Sequence, residues 1–199
     1  LQQKIAAANK GIYEAAQARP ECAGMGTTIV GVVFCGNRVS IGHIGDSRCY
    51  RLRGEKFEQL THDHSLLQEQ IDAGQLTPEQ AKYSLNKNLV TRALGIDPAV
   101  EPELNCFEAQ PGDVYLLCSD GLNDMVSDED IGMTLQTLSG APVALDLFDV
   151  TQEAEIGHIR RLCEPGHGVR VTGVTKVARP GPGSGPRACR EGLPGQDRK

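Results

Sequence analysis

Three aspartates close to the ends of predicted strands could carry chemistry in this sequence. Asp46 stands in the motif HIGDSR between two predicted strands, and Asp120 follows the apolar run VYLLCS and precedes Gly121. Asp124 lies a short distance further on, in SDGLND. A carboxylate at the end of a buried strand is held rigidly at the rim of the sheet, and a neighbouring glycine lets a metal or water approach. Because Mg²⁺ and Mn²⁺ take oxygen ligands, the three residues indicate a divalent-cation site. Purely structural roles also fit, with Asp46 as a turn residue and Asp120 as a helix N-cap.

Other chemistries have less support. His62 and His64 form an H-x-H pair that could chelate a metal from a strand. A bend around an acidic turn residue is the favoured interpretation, and the lack of a third histidine nearby in the sequence argues against zinc. His43 is predicted to be a packed strand residue. There is no G-x-S-x-G motif for a nucleophilic serine. Cys118 does not begin the C-x₅-R cradle of a cysteine phosphatase, because no arginine follows it at that spacing.

Short strands, interrupted and flanked by helices, must position these residues. Two runs rich in β-branched residues, separated by Gly-Asn, predict a hairpin over 27–35 and 38–44. Further strands are predicted over 47–52, 56–60, 104–107 and 113–118. Helical spacing or capping signals predict helices over 1–18, 64–73, from Thr77 onward and over 127–138. This order of elements is typical of α+β layers.

The composition limits the function classes. The chain has 199 residues and a net charge of −6, which argues against nucleic acid as a partner, since phosphate backbones are held by an excess of Lys and Arg. No run approaches the roughly 18 apolar residues of a membrane span. The seven cysteines are odd in number and form no C-x-x-C pair, so we expect a cytoplasmic protein without a disulfide framework or zinc ribbon. Cys35, Cys49 and Cys118 are predicted to be buried.

Five motifs in order resemble one family. They are GMGTT, HIGDSRCYRL, LTHDHS, LVTRALG and PGDVYLLCSDGLNDMVSDEDI. Their order and approximate spacing over residues 1–139 resemble the type 2C (PPM) family of metal-dependent protein serine/threonine phosphatases, in its bacterial form. The resemblance implies a β-sandwich of two antiparallel sheets flanked by helices, with metals at one end.

The resemblance also implies an activity and a set of ligands. Two Mn²⁺ or Mg²⁺ ions would activate a water that hydrolyses phosphoserine or phosphothreonine on proteins. Asp120 resembles a ligand of this binuclear pair, and Asp46 and Asp124 resemble the pair that holds a third, weaker metal. Residues 64–88 occupy the place of a flap beside the active site, where we expect them to affect substrate choice. The expected partners are phosphorylated proteins, such as a Ser/Thr kinase or its targets, with no nucleic acid and no membrane.

The sequence departs from the family at both ends. The R-x-x-N-Q-D-like and D-G-x-G-G motifs, which carry the phosphate-binding Arg and a bridging Asp, are not found, and neither is a late G-G-x-D-N. We therefore expect an N-terminally truncated, incomplete sandwich over 1–139, a degenerate or frame-shifted end over 140–163, and a disordered Gly/Pro/Arg-rich tail over 164–199. Codons for 152–155 exist that would give Gly-Gly-Arg-Asp in a shifted frame, and sequencing the locus tests this hypothesis.

These departures lead to competing hypotheses. The chain is expected to be a weakly active or inactive phosphatase fragment, because a dimetal site needs several carboxylates. A catalytically dead phosphatase-like module that binds a partner is the alternative. A non-catalytic α+β scaffold with structural acidic turns is a third hypothesis.

Overall fold

Two four-stranded antiparallel sheets pack face to face in the computed structural model, which describes residues 1–81, 84, 89–138, 158–161 and 171–177. Sheet A has the strand order β5-β2-β1-β8 and sheet B the order β4-β3-β6-β7. The strands are β1 (Thr27–Cys35), β2 (Arg38–Ile44), β3 (Arg48–Arg53), β4 (Lys56–Gln59), β5 (Glu103–Glu108), β6 (Val114–Cys118), β7 (His158–Arg161) and β8 (Val171–Val177). The helices are α1 (Gln2–Ala18), α2 (Leu66–Asp72), α3 (Pro78–Ala81), α4 (Asp120–Asn123) and α5 (Asp128–Leu138), with a 3₁₀ turn at Pro20–Cys22.

The space between the sheets is filled by one apolar cluster. Sheet A contributes buried residues of β1 and β2, and sheet B contributes alternate residues of β3 and β6. The members are Val30, Val32, Val39, Ile41, Cys49, Ala109, Tyr115 and Leu117. Because side chains alternate across a strand, the neighbouring residues of β3 and β6 point to the opposite face of sheet B.

Helices cover the two outer faces. Ile131 and Leu135 of α5 pack on the outward residues of sheet B, which include Tyr50 and Leu116. Ile5 of α1 packs on the outer face of sheet A with residues that include Ile44 and Leu94. All five residues of β6 are buried, because this strand has the opposite sheet on one face and α5 on the other. The resulting α-β-β-α sandwich confirms the predicted fold class.

The described residues beyond residue 139 form two strands. Residues 158–161 form β7 against β6, and residues 171–177 form β8 against β1. The expectation of a disordered tail over 164–199 is therefore corrected for 171–177, because this segment is rich in β-branched residues and pairs with the buried strand β1. The other residues of the 140–163 segment and of the tail lie outside the described residues, as do most of 82–88.

The cysteine predictions are partly confirmed. Cys49 and Cys118 are buried in the core clusters. Cys35 is exposed, because it is the last residue of β1, beside the hairpin turn. Among the described residues, no helix combines the length and the apolar character needed to span a bilayer.

Candidate metal centre

The pairing of β3 with β6 brings two of the predicted ligands to the same end of sheet B. Arg48 pairs with Cys118 as the last partners of this antiparallel ladder. Asp46 lies just before Arg48 and Asp120 just after Cys118. Because the two strands are antiparallel, both aspartates lie just past the same end of the ladder. Both are buried, with 6% of Asp46 and 7% of Asp120 exposed. Two buried carboxylates at one sheet end are an oxygen donor set that suits a hard divalent cation.

A constrained turn between the two sheets holds Asp46. Gly45 has a φ of +100°, and a Cβ built there would lie 2.2 Å from Cγ2 of Thr28. On the other side of Asp46, the Ser47 hydroxyl lies 2.8 Å from the Thr28 hydroxyl. The turn interpretation of Asp46 is thus confirmed, and it is compatible with ligation because the turn lies at the sheet end.

Asp120 begins α4, directly after β6. The N-cap is Ser119, so the hypothesis that Asp120 itself caps the helix is wrong, because the helix already includes Asp120 and so begins one residue earlier than that role requires. The carboxylate of Asp120 therefore sits on the first turn, where the positive end of a helix dipole favours negative charge.

Asp124 is the C-cap of α4, and its N–H donates to the Asp120 carbonyl at 2.8 Å. It is exposed and lines a cavity of about 610 Å³ between α2, α3 and the loop before α5. The cavity is acidic, since Asp63, Asp128 and Glu129 also line it, with Arg48. Asp46 and Asp120 are not part of the lining. The structure therefore brings Asp46 and Asp120 to one sheet end and leaves Asp124 in the adjoining cavity wall.

An ion pair that sequence reasoning missed joins two of the motifs. Arg48 of HIGDSR donates from Nε and Nη2 to the Asp63 carboxylate of LTHDHS, at 2.9 and 2.7 Å to Oδ2. Its Nη1 donates to the Tyr50 hydroxyl, which donates to Asp128 at the start of α5. Although burial alone lowers it, the Asp63 carboxylate raises the pKa of Arg48. The sequence shows a charged residue in each of these two motifs, Arg48 and Asp63, but only the fold shows that they pair.

The histidines divide between solvent and interior. The His62 Nε2 lies 2.7 Å from the Asp72 carboxylate at the surface, whereas His64 is 7% exposed. The two side chains have different partners, so the structure does not bring them together as an H-x-H chelate. His43 is packed as predicted, with 1% exposed. The argument against zinc considered only histidines nearby in the sequence, whereas β2 brings the His43 ring to 4.7 Å from the His64 ring.

A sandwich of two antiparallel sheets flanked by helices, with buried acidic residues at one sheet end, agrees with the fold that the motif resemblance implied. The chain belongs to the protein phosphatase 2C family, whose model matches residues 1–153. The match runs beyond residue 139, where the resemblance of the motifs ends.

Individual proteins similar to this chain carry names that agree with the family assignment. The chain is 45% identical over 150 residues to the serine/threonine protein phosphatase PstP of Mycobacterium tuberculosis, a match covering 75% of this chain and 29% of that protein. It is 44% identical over 108 residues to the protein phosphatase PhpP of Streptococcus pneumoniae, which covers 54% of this chain and 44% of that protein. The chain thus spans less than half the length of these relatives.

Solved structures give the same result. The crystal structure of the M. tuberculosis phosphatase PstP/Ppp superimposes with a TM-score of 0.62 at 46% identity, covering 64% of this chain and 54% of that one. A PstP catalytic domain solved in complex with two manganese ions superimposes with a TM-score of 0.58 at 34% identity, covering 85% of this chain and 66% of that one.

Proposed function

We propose that this chain is part of a metal-dependent protein serine/threonine phosphatase that hydrolyses phosphoserine and phosphothreonine on proteins. The observation that carries the proposal is the β3–β6 pairing, which sets the buried Asp46 and Asp120 at one end of sheet B. Membership of the protein phosphatase 2C family supports it, as do the names of PstP and PhpP.

The acidic sheet end is the proposed metal site. The manganese ions bound by the PstP catalytic domain support Mn²⁺ or Mg²⁺ as the cofactor. Asp120 would hold the binuclear pair, and Asp46 with Asp124 would hold a third, weaker metal. When bound, such ions lower the pKa of a bound water, and their positive charge stabilises the negative charge of the phosphate.

The other residues of the site order the loops and receive the substrate. The Arg48–Asp63 pair ties the Asp46 turn to the segment that leads into α2. The cavity beside Asp124 has room for a polypeptide side chain, and its acidic lining disfavours an anion. We therefore assign this cavity to substrate residues next to the phosphorylated one, so that the flap segment 64–88 influences substrate choice.

The wider setting follows as part of the proposal. Substrates would be phosphorylated proteins, among them a Ser/Thr kinase or its targets. A cytoplasmic location is supported by the free thiols of the described cysteines. As printed, the chain contains neither the R-x-x-N-Q-D-like nor the G-G-x-D-N motif, so we expect it to be weakly active or inactive.

Calorimetric titration with Mn²⁺ tests the metal site. Asp120→Asn keeps the shape of the side chain and removes its charge, so we expect Mn²⁺ affinity to fall about tenfold or more. Asp97→Asn is the matched control, because Asp97 is exposed in the loop before β5, and it should bind Mn²⁺ like the unmodified chain. Equal affinities for the unmodified chain and Asp120→Asn would contradict the assignment.

Turnover of a phosphothreonine peptide with Mn²⁺ tests the activity. The expected rate is far below the ~10 s⁻¹ of a typical enzyme, and a rate of that order would show that the missing motifs are dispensable. Phosphopeptide binding without any turnover would favour the catalytically dead binding module.

A further inference from the structure

A polar cluster of two buried histidines and two half-buried charged residues adjoins the Asp46 turn. His43 of β2 pairs in register with Glu103 of β5. The His43 and His64 rings stack with their planes 11° apart, and Nε2 of His64 lies 3.3 Å from a Glu103 carboxylate oxygen. The Arg92 Nη1 lies 3.0 Å from the same nitrogen. We call these four residues the histidine cluster.

The hydrogen bonds define which nitrogens carry protons. The Gly45 backbone N–H donates to Nδ1 of His64 at 3.1 Å, so this nitrogen offers its lone pair and Nε2 carries the proton in the neutral ring. That proton can be donated to the Glu103 carboxylate. The Arg92 Nη1 also donates, so in this tautomer its approach to Nε2 is a contact and not a hydrogen bond. The Nε2 of His43 lies 2.7 Å from the His62 carbonyl, which can only accept, so Nε2 is again the protonated nitrogen.

This tautomer argues against a metal in the cluster. His43, His64 and Glu103 offer ligand atoms within 4.8 Å of one another, and two histidines with a glutamate are a zinc ligand set. However, Nδ1 of His64 is occupied by the Gly45 N–H, and its Nε2 presents a proton toward the site. The nearby Arg92 guanidinium would also repel a cation.

The same bonds give His64 a different role. Its backbone N–H donates to the Gly45 carbonyl at 3.0 Å, while its ring accepts from the Gly45 N–H. Both backbone polar groups of Gly45 are therefore held by one residue. Since Gly45 immediately precedes Asp46, these two bonds set the direction in which the chain presents the Asp46 carboxylate.

We propose that His64 is a positioning residue, whose ring nitrogen Nδ1 holds the Gly45 turn so that Asp46 is presented for metal binding. The inference rests on the proposed function, in which Asp46 is a metal ligand. Burial, together with His43 and Arg92, lowers the pKa of His64 to about 4, which keeps the Nδ1 lone pair available at neutral pH. The ring thus acts on the metal site without touching it.

Two amide variants distinguish the roles of the two ring nitrogens of His64, because each places an amide group near only one nitrogen position. In His64→Asn the side-chain oxygen replaces Nδ1, so the bond from the Gly45 N–H is kept. In His64→Gln the amide reaches the Nε2 position near Glu103 instead, and the bond to Gly45 is lost. Both variants lose the stacked ring, so a role limited to packing would affect them equally.

NMR of the full chain provides two readouts. The first is hydrogen exchange of the Gly45 amide, and the second is broadening of the Asp46 and Asp120 amide signals during a Mn²⁺ titration, which also detects weak binding. For His64→Gln we expect exchange at Gly45 to accelerate about tenfold or more, and the Mn²⁺ concentration for half-maximal broadening to rise by a similar factor. His64→Asn should stay within about threefold of the unmodified chain in both.

The two readouts distinguish the positioning role of His64 from metal binding at Asp46. If His64→Gln matches His64→Asn in both measurements, the positioning role is overturned. If Mn²⁺ broadens neither aspartate signal in the unmodified chain, metal binding at Asp46 and with it the proposed function is overturned. The Gly45 exchange rates then still decide whether His64 holds the turn.

Discussion

The charge state of His64 couples the interior of this protein to pH. Burial, the neighbouring His43 and the Arg92 guanidinium lower its pKa to about 4 from the ordinary value of 6.5. The unfolded chain therefore takes up a proton more readily than the folded one between these values. The resulting stability is fully present above pH 6.5 and is lost as the pH falls through about 4.

We predict that the unmodified chain loses about 1–2 kcal/mol more unfolding free energy between about pH 7 and pH 5 than His64→Asn does. Asparagine cannot titrate in this range, so its variant keeps only the pH dependence of the remaining groups. Urea denaturation at both pH values provides the measurement. Parallel losses in the two proteins would mean that the pKa of His64 is the same in the folded and the unfolded chain.

At the scale of elements, the crossing from β2 to β3 is a tightly constrained connection. It carries the chain from sheet A to sheet B and presents Asp46 on the way. Gly45 has a left-handed φ of +100°, and any Cβ there would collide with the Thr28 side chain. The crossing therefore requires glycine for two independent reasons, conformation and space.

Gly45→Ala should lower the unfolding free energy by about 3 kcal/mol or more. Gly36→Ala is the matched control, because Gly36 also has a positive φ, of +57°, but a Cβ there meets nothing within 4 Å. The control should cost only about 1 kcal/mol. Thermal and urea unfolding measure both, and similar losses would show that the contact with Thr28 relaxes readily.

The capping boxes show how elements near the site begin. The Gln80 N–H donates to the Thr77 hydroxyl, and the Thr77 N–H donates to the Gln80 side chain. The Asp130 N–H likewise donates to the Ser127 hydroxyl at the start of α5. Both helix starts were predicted from the sequence, because a cap depends on residues only a few positions apart.

At the scale of the whole molecule, β6 joins the two apolar cores of sheet B. Leu117 faces the space between the sheets, and Leu116 faces α5. Because one strand contributes to both layers, loss of packing on either side should weaken the same cooperative unit.

We predict that Leu116→Ala and Leu117→Ala each cost about 2–5 kcal/mol and shift a single unfolding transition. Leu104→Ala on β5 is the control, because Leu104 is 44% exposed. This variant should lower the unfolding free energy by less than about 1.5 kcal/mol. Circular dichroism and tyrosine fluorescence follow the unfolding, and Tyr50 and Tyr115 report the two cores. A separate early transition in Leu116→Ala would show that α5 unfolds independently.

Local patterns in the sequence predicted the order of β1 to β6 and of α1, α2, α3 and α5, the caps at Thr77 and Ser127, and the family to which the chain belongs, but not α4, β7 or β8. They also identified Asp46 and Asp120, because short motifs mark strand ends by residues adjacent in the chain. The prediction for 171–177 failed since a short strand in a Gly/Pro-rich context is stabilised by its partner, here β1.

Only the tertiary structure decided which distant residues meet. The β3–β6 register places Asp46 beside the end of Asp120's strand and leaves Asp124 in the cavity wall. It also joins Arg48 to Asp63, and it stacks His43 on His64. Such contacts join residues far apart in the sequence and depend on how strands pair and how side chains of given volume pack in the core. The spacing of residues within a motif does not determine them.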